Sequence, residues 1–277
     1  MKCLVNLTGF GCGQCYACRL NRQQEKATRI NHEAQQYKNN VFITLTYSDE
    51  YLPKDLSLNK EDLRGFEKRL RYYVSPQKIR FFGCGEYGDQ TKRPHYHLIV
   101  FNLSKDDKRV FNDIQYVPSK CLFYCSCKAW EKGHVTIADV NEARINYVAK
   151  YVVKKMTGKA AKEYYGERTP EFCLCSLRPG IGYDYMTEHA DKLKREDCIT
   201  KRGQKSPLPR YYVDKLFKTN KEKEQRKFRR EARLKDISLE KWNKGEQKTY
   251  QNGVDEQEAR VRLLGLNLQG KETKNNV

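Results

Sequence analysis

At 277 residues, with a formal net charge of +19 and a pI near 9.4, the chain is long enough for one sizeable core with a small second domain or tail, and its charge favours a polyanionic partner. Its 19 tyrosines and 11 phenylalanines add faces on which nucleic-acid bases stack. No long apolar run occurs, and Met1-Lys2-Cys3-Leu4-Val5-Asn6-Leu7 lacks the core of a signal peptide, so a membrane-spanning protein is excluded and a cytosolic one expected.

In chain order, residues 1–18 are rich in Gly and Cys, and residues 19–37 are polar with good helix formers. Residues 41–47 carry the β-branched and aromatic content of a buried strand. Leu63, Phe66, Leu70 and Tyr73 recur at helical spacing, which predicts a helix over 59–73 capped by Asn59. Two strands follow, 79–84 and 96–101, joined by a Gly-rich loop through Gly85, Glu86, Tyr87, Gly88 and Asp89. A further strand is expected over 133–140 and a helix over 141–156. Beyond about 157 the periodicity weakens: 176–182 and 208–212 read as loops, and 222–239 as a solvated helix. This order predicts an α+β fold, a central antiparallel sheet with helices packed on one face. The expected division is a Cys-rich segment and helix over 1–40, a core over 41–157, an extension over 158–220 and a basic, charged tail over 221–277.

The chemistry concentrates in two short spacings. In Arg93-Pro94-His95-Tyr96-His97 the histidines stand at i and i+2, so on a strand they share a face while Tyr96 turns away. Proline fits there at the start or edge of a strand. Glu86, across the predicted hairpin loop, offers a third, hard ligand, and imidazole with carboxylate suits Mn²⁺ or Mg²⁺ with positions open to phosphate oxygens. The competing reading is a pair of surface histidines on an edge strand.

On the predicted helix, Ile145, Val148, Val152 and Met156 form an apolar stripe, and Tyr147, Tyr151, Lys150 and Lys154 lie on the other side. A phenol needs nearby positive charge or a base to act as a nucleophile near neutral pH, and Lys150 and Lys154 are the candidates to supply that charge. Two tyrosines permit a cycle: one forms a 5′-phosphotyrosyl link and frees a 3′-hydroxyl, and the second cleaves the regenerated site while the first link is resolved. The phosphodiester energy is retained, consistent with the absence of a Gly-x-x-x-x-Gly-Lys-[Ser/Thr] phosphate loop.

These residues resemble the HUH endonucleases that initiate rolling-circle replication and, more narrowly, the replication initiation proteins of the gokushovirus type of microviruses. The matching segments begin at Cys12-Gly13-Gln14-Cys15-Tyr16-Ala17-Cys18-Arg19 and continue through 42–47, 85–88, 93–97, 147–152, 178–182 and 208–212. The resemblance implies a palm-like sheet with the His-x-His on a central strand, His95, His97 and Glu86 as metal ligands, and Tyr147 and Tyr151 as the nucleophile pair. It also implies a nickase and ligase acting on phage origin DNA, single-stranded or in the supercoiled replicative form, in the host bacterial cytoplasm. The tail, with Arg226-Lys227-Phe228-Arg229-Arg230, would track DNA or meet a host helicase, or be simply a solvated charged helix.

The 11 cysteines are expected to stay reduced, and their odd number argues against a fully paired disulfide set. Cys12, Cys15 and Cys18 have the spacing of a zinc-knuckle limb, with Cys3 close in sequence and Cys121, Cys125 and Cys127 as distant partners for a structural Zn²⁺. Reduced cysteines without metal are the alternative. Two further readings of the whole chain stay open: a non-catalytic, zinc-stabilised nucleic-acid-binding protein, and a single-tyrosine transposase or relaxase of the same chemistry.

Overall fold

A computed structural model describes residues 12, 13, 15–88, 90–154 and 159–243, the side chains of 152–154, 159–160 and 233–243 excepted. The chain divides into two compact units, Leu20–His189 and a second made of Met1–Arg19 with Ala190–Val277. Among the described residues no helix is long and apolar enough to cross a membrane.

The larger unit is built on a seven-stranded sheet in the order β4-β5-β6-β1-β3-β2-β7. Its strands are β1 (Asn40–Tyr47), β2 (Arg80–Tyr87), β3 (Pro94–Phe101), β4 (Phe111–Val117), β5 (Leu122–Cys127), β6 (Gly133–Asp139) and β7 (Phe172–Cys175), and all its pairings are antiparallel. The α+β class holds. The helices, however, pack on both faces rather than one. On one face Leu63, Phe66, Leu70 and Val74 of α2 (Lys60–Val74) join Val41, Ile43, Leu45 and Tyr47 of β1 in one apolar cluster. On the other, Ile30 of α1 (Tyr16–Ala34) and Ile145, Val148 and Ala149 of α3 (Glu142–Lys154) cover Phe82, Ile99 and Phe101. Strands β2 and β3 are buried along nearly their whole length, which a one-sided layer cannot achieve.

The local signals are those of ordinary caps. Asn59 Oδ1 accepts from the Glu61 N–H at 2.8 Å and starts α2, and Asn141 Oδ1 accepts from the Arg144 N–H at 2.9 Å ahead of α3. Gly133, at φ +150°, opens β6 where a Cβ would collide with the backbone of Thr46 and Ser48. Pro94 is the first residue of β3, paired with Tyr87 of β2, and the β1 register begins only at His95, so no ladder donor is lost. The segment beyond 157 adds α4 (Lys159–Tyr165), strand β7 at the edge beside β2, and α5 (Tyr183–Glu188).

The second unit contains α6 (Ala190–Glu196), the hairpin β8 (Cys198–Lys201) and β9 (Gln204–Pro207), α7 (Arg210–Leu216) and α8 (Asn220–Asn243). Residues 208–212, read as a loop, instead run into α7, with Tyr212 wholly buried. The solvated helix is present: α8 opens with a capping box in which Glu222 accepts from the Thr219 N–H at 3.0 Å while Thr219 Oγ1 accepts from the Glu222 N–H at 3.2 Å. Arg226 ties it to Asp197 at 2.6 Å, and Phe228 is left 73% exposed.

Candidate active site

Strands β1, β3 and β2 lie side by side with Thr44 opposite His97 and His97 opposite Cys84, and with Thr46 opposite His95 and His95 opposite Glu86. Residues paired across antiparallel strands share a face, so Glu86, His95 and His97 come together on the face that α3 partly covers. Glu86 thus lies within β2, not in the loop after it. Gly85 marks close packing instead of a turn: a Cβ there would stand 2.9 Å from Leu58 Cδ2 and 3.1 Å from the Phe172 ring.

Glu86 Oε1 is 2.7 Å from His95 Nε2 and 2.8 Å from His97 Nε2. The outer ring nitrogens are held as well. His95 Nδ1 lies 3.1 Å from the Arg93 carbonyl, which also accepts from the Gly88 N–H, and His97 Nδ1 lies 3.0 Å from Thr44 Oγ1. A carbonyl only accepts, so His95 Nδ1 carries its proton and a neutral ring presents a bare Nε2 to an acceptor-only carboxylate. That contact is favourable only with a cation, either a proton or a metal, at the meeting point. Burial works against ionisation of Glu86, but hydrogen bonds from His95 and His97 and their charge outweigh it and hold the carboxyl at about 2. These donors lie within 4.8 Å of one another, with the hydrogen-bonded outer nitrogens of a typical metal-binding histidine pair, and they fit a divalent cation.

Tyr147 on α3 reaches the same point. Its hydroxyl is 3.3 Å from Glu86 Oε1 and 3.3 Å from His97 Nε2, and the residue is 42% exposed. Burial raises its phenol, a hydrogen bond with Tyr151 partly offsets that, and the Glu86 charge adds to it, for a value of about 12. Tyr151 departs from the helical-wheel expectation: it is 3% exposed, its ring stacked on His97 at 5.7 Å. It sits about 60° around the helix from Val148, close enough to the apolar stripe to join it when a flat aromatic wall of His97 lies opposite. Burial, the hydrogen bond with Tyr147 and the Glu86 charge push its phenol still higher. Lys150 is exposed on α3, while the side chains of Lys154 and Val152, and all of Met156, lie outside the described residues.

Sequence reasoning missed Thr44 and Phe42. Phe42 stacks on His97 at 5.7 Å and meets Tyr147 edge-on at 6.5 Å. The signal was available in the alternation of Phe42, Thr44 and Thr46 with Ile43, Leu45 and Tyr47, which marks a strand buried on one side only. The same face continues away from α3 through Thr136 of β6, Tyr124 of β5 and Gln115 of β4, aligned with Thr44 by the strand register. Tyr124 is 42% exposed there.

The cysteines separate into two kinds. Cys12, Cys15 and Cys18 bring their sulfurs within 4.8 Å of one another. Cys121, Cys125 and Cys127 form no such group among the described residues: Cys121 is exposed, whereas Cys125 and Cys127 pack in the core, where burial raises their thiols to about 12 and about 11. Neutral buried thiols serve packing, not ligation. Cys3 lies outside the described residues.

The family model for the replication-associated protein ORF2 group matches residues 40–156, the segment that carries the sheet centre and α3. Replication-associated protein VP4 of Bdellovibrio phage phiMH2K is 31% identical over 228 residues, covering 77% of this chain and 69% of that protein. Replication-associated protein ORF2 of Spiroplasma virus 4 is 32% identical over 221 residues, covering 77% and 68%. The chain belongs to the replication-associated protein family of microviruses. A third member, replication-associated protein ORF4 of Chlamydia phage 1, is 29% identical over 220 residues, covering 75% of this chain and 53% of its own length. No solved structure matches this replication-associated chain. The match over 40–156 contains Glu86, His95, His97, Tyr147 and Tyr151 together.

Proposed function

We propose that this protein initiates rolling-circle replication by nicking one strand of phage origin DNA through a 5′-phosphotyrosine and later rejoining the product strand. The observation that carries the reading is the placement of the Tyr147 hydroxyl 3.3 Å from both Glu86 and His97, where two imidazoles and a carboxylate already call for a cation. Glu86, His95 and His97 would hold Mn²⁺ or Mg²⁺. When bound, such an ion supplies Lewis acidity to a phosphoryl oxygen. Thr44 and the Arg93 carbonyl keep the two rings oriented, and Phe42 and Tyr151 wall the site against water.

Tyr147 is the exposed phenol and attacks first. Its proton leaves to water, its oxygen bonds to phosphorus, and the P–O3′ bond breaks with its electron pair on the 3′-oxygen, which takes up a proton. The phosphotyrosyl bond keeps the energy of the phosphodiester, so the freed 3′-hydroxyl later reverses the step without ATP. Tyr151, buried behind His97, becomes the second nucleophile only when α3 shifts to expose it. Single-stranded DNA reaches Tyr147 along the open half of the sheet, over Thr136 and Tyr124.

Incubation with a single-stranded origin oligonucleotide and Mn²⁺, followed by mass spectrometry of the DNA-linked peptide, tests this. The adduct is expected on Tyr147, and Tyr147→Phe lowers its formation at least about a thousandfold. Unchanged adduct in Tyr147→Phe would overturn the assignment. The burial of Tyr151 favours one alternative, a single-tyrosine cycle in which Tyr151 only packs His97. In that case Tyr151→Phe leaves strand rejoining intact, whereas in the two-tyrosine cycle it permits the first nick and blocks the second.

A further inference from the structure

We propose that Cys12, Cys15 and Cys18 form a second metal site, a tri-thiolate seat for a zinc-type cation at the start of α1. The proposal does not rest on the nicking reading. All three are reduced, and their sulfurs lie within 4.8 Å of one another. Cysteines used only for packing have no reason to converge on one point, and three sulfurs closing on a common centre are a ligand set.

The backbone supports the thiolate form. Gly13, at φ +75°, follows Cys12 and turns the chain back on itself. The Cys15 N–H then donates to Cys12 Sγ at 3.2 Å, a bond that stabilises a sulfur carrying negative charge. The Cys15 carbonyl accepts from the Arg19 N–H at 3.0 Å, which makes Cys15 the cap of a 19-residue helix and places Cys18 one turn on, on the same side. The partial positive charge at the helix start favours thiolates there.

Distance decides the class of metal. Zinc binds thiolate at about 2.3 Å, and tetrahedral geometry then sets sulfurs roughly 3.8 Å apart. The observed spread reaches this with side-chain rotation alone. A four-iron cluster places each thiolate on a different iron and needs sulfurs more widely spaced than a single ion does. Three thiolates leave one tetrahedral position for a further ligand, and the bound ion would fasten the Cys12 turn to the first turn of α1.

The full-length protein, purified without chelator, is the material for the test, with zinc and iron measured by elemental analysis and Co²⁺ exchanged in for spectroscopy. The expected result is one zinc per chain and, with Co²⁺, the intense thiolate-to-metal charge-transfer band that imidazole and carboxylate ligands do not give. Both persist in His97→Ala, which separates this site from the Glu86 centre, and both are lost in Cys12→Ser, Cys15→Ser and Cys18→Ser. Should a serine variant fail to fold, stripping zinc from the wild type and restoring the band by adding Co²⁺ serves in its place, with thiol alkylation at the three positions blocked by the metal. Iron with sulfide, a disulfide found by mass in the freshly isolated protein, or zinc retained in all three serine variants would each overturn the proposal.

Discussion

Alternate residues of β3 build two polar clusters on opposite faces of the sheet, and the two differ in what they lack. On the α2 face, the Tyr96 hydroxyl accepts from the Asn59 N–H at 3.0 Å and lies 2.7 Å from the Tyr47 hydroxyl. Tyr47 in turn donates to Asp62 at 2.6 Å, and Lys132 balances that carboxylate at 2.6 Å. Donors meet acceptors, the charge is paired, and the network is closed. On the α3 face, His95, His97 and Glu86 aim lone pairs at a single point and Tyr147 adds a hydroxyl there. A closed polar network specifies a fold, whereas convergent acceptors specify a ligand.

The largest effect that would break this contrast comes from His97→Ala. Removal of one of three donors is expected to lower Mn²⁺ affinity at least about a hundredfold and to abolish nicking while the thermal midpoint moves little, as read by calorimetry alongside the oligonucleotide assay. If metal affinity survives, the α3 face is one more structural network. Acid sharpens the same point. The Glu86 carboxyl is held near 2 against an ordinary 4.5, so its contribution to stability is complete above 4.5 and is lost as the pH falls through 2. Denaturant titrations of metal-free wild type and Glu86→Gln should converge over that window, and a gap that stays constant from pH 6 to pH 2 would refute it. On the opposite face, Tyr96→Phe leaves a backbone donor of Asn59 poorly satisfied and should cost about 1–3 kcal/mol of stability with no change in metal affinity.

The contrast was only partly legible in the sequence. The i, i+2 spacing placed His95 and His97 together and turned Tyr96 away, because strand geometry alone fixes that. Glu86 was identified, but its position inside β2 was hidden: Gly85 and Gly88 look like turn residues, and only the third dimension shows Leu58 and Phe172 occupying the space a Cβ at 85 would need. The wheel projection put Tyr151 among the lysines because it counts apolar residues and knows nothing of a flat imidazole waiting opposite. β4, β5 and β7 went unread for a related reason. They are edge or near-edge strands with half-exposed patterns, and the Cys-rich runs of β5 and β7 resemble metal motifs more than strands.

The smallest expected effect probes how far the functional face extends. If the α3 face ends at His97, Tyr124 is an ordinary exposed residue on β5, and its loss is silent. If DNA runs along the open half of the sheet, one base stacks on the Tyr124 ring, three strands away from His97 in the register through Thr136 and Thr44. Stacking depends on an aromatic face and not on charge, so Tyr124→Ala should weaken single-stranded oligonucleotide binding by about 1 kcal/mol, roughly fivefold, and Tyr124→Phe should restore it. The salt dependence of binding should keep the same slope in both variants, because neither removes a phosphate contact. A loss that Phe does not rescue would mean that the hydroxyl, and hence a specific hydrogen bond, is what the face contributes. Equal binding in all three proteins would confine the DNA path to the immediate surroundings of Tyr147.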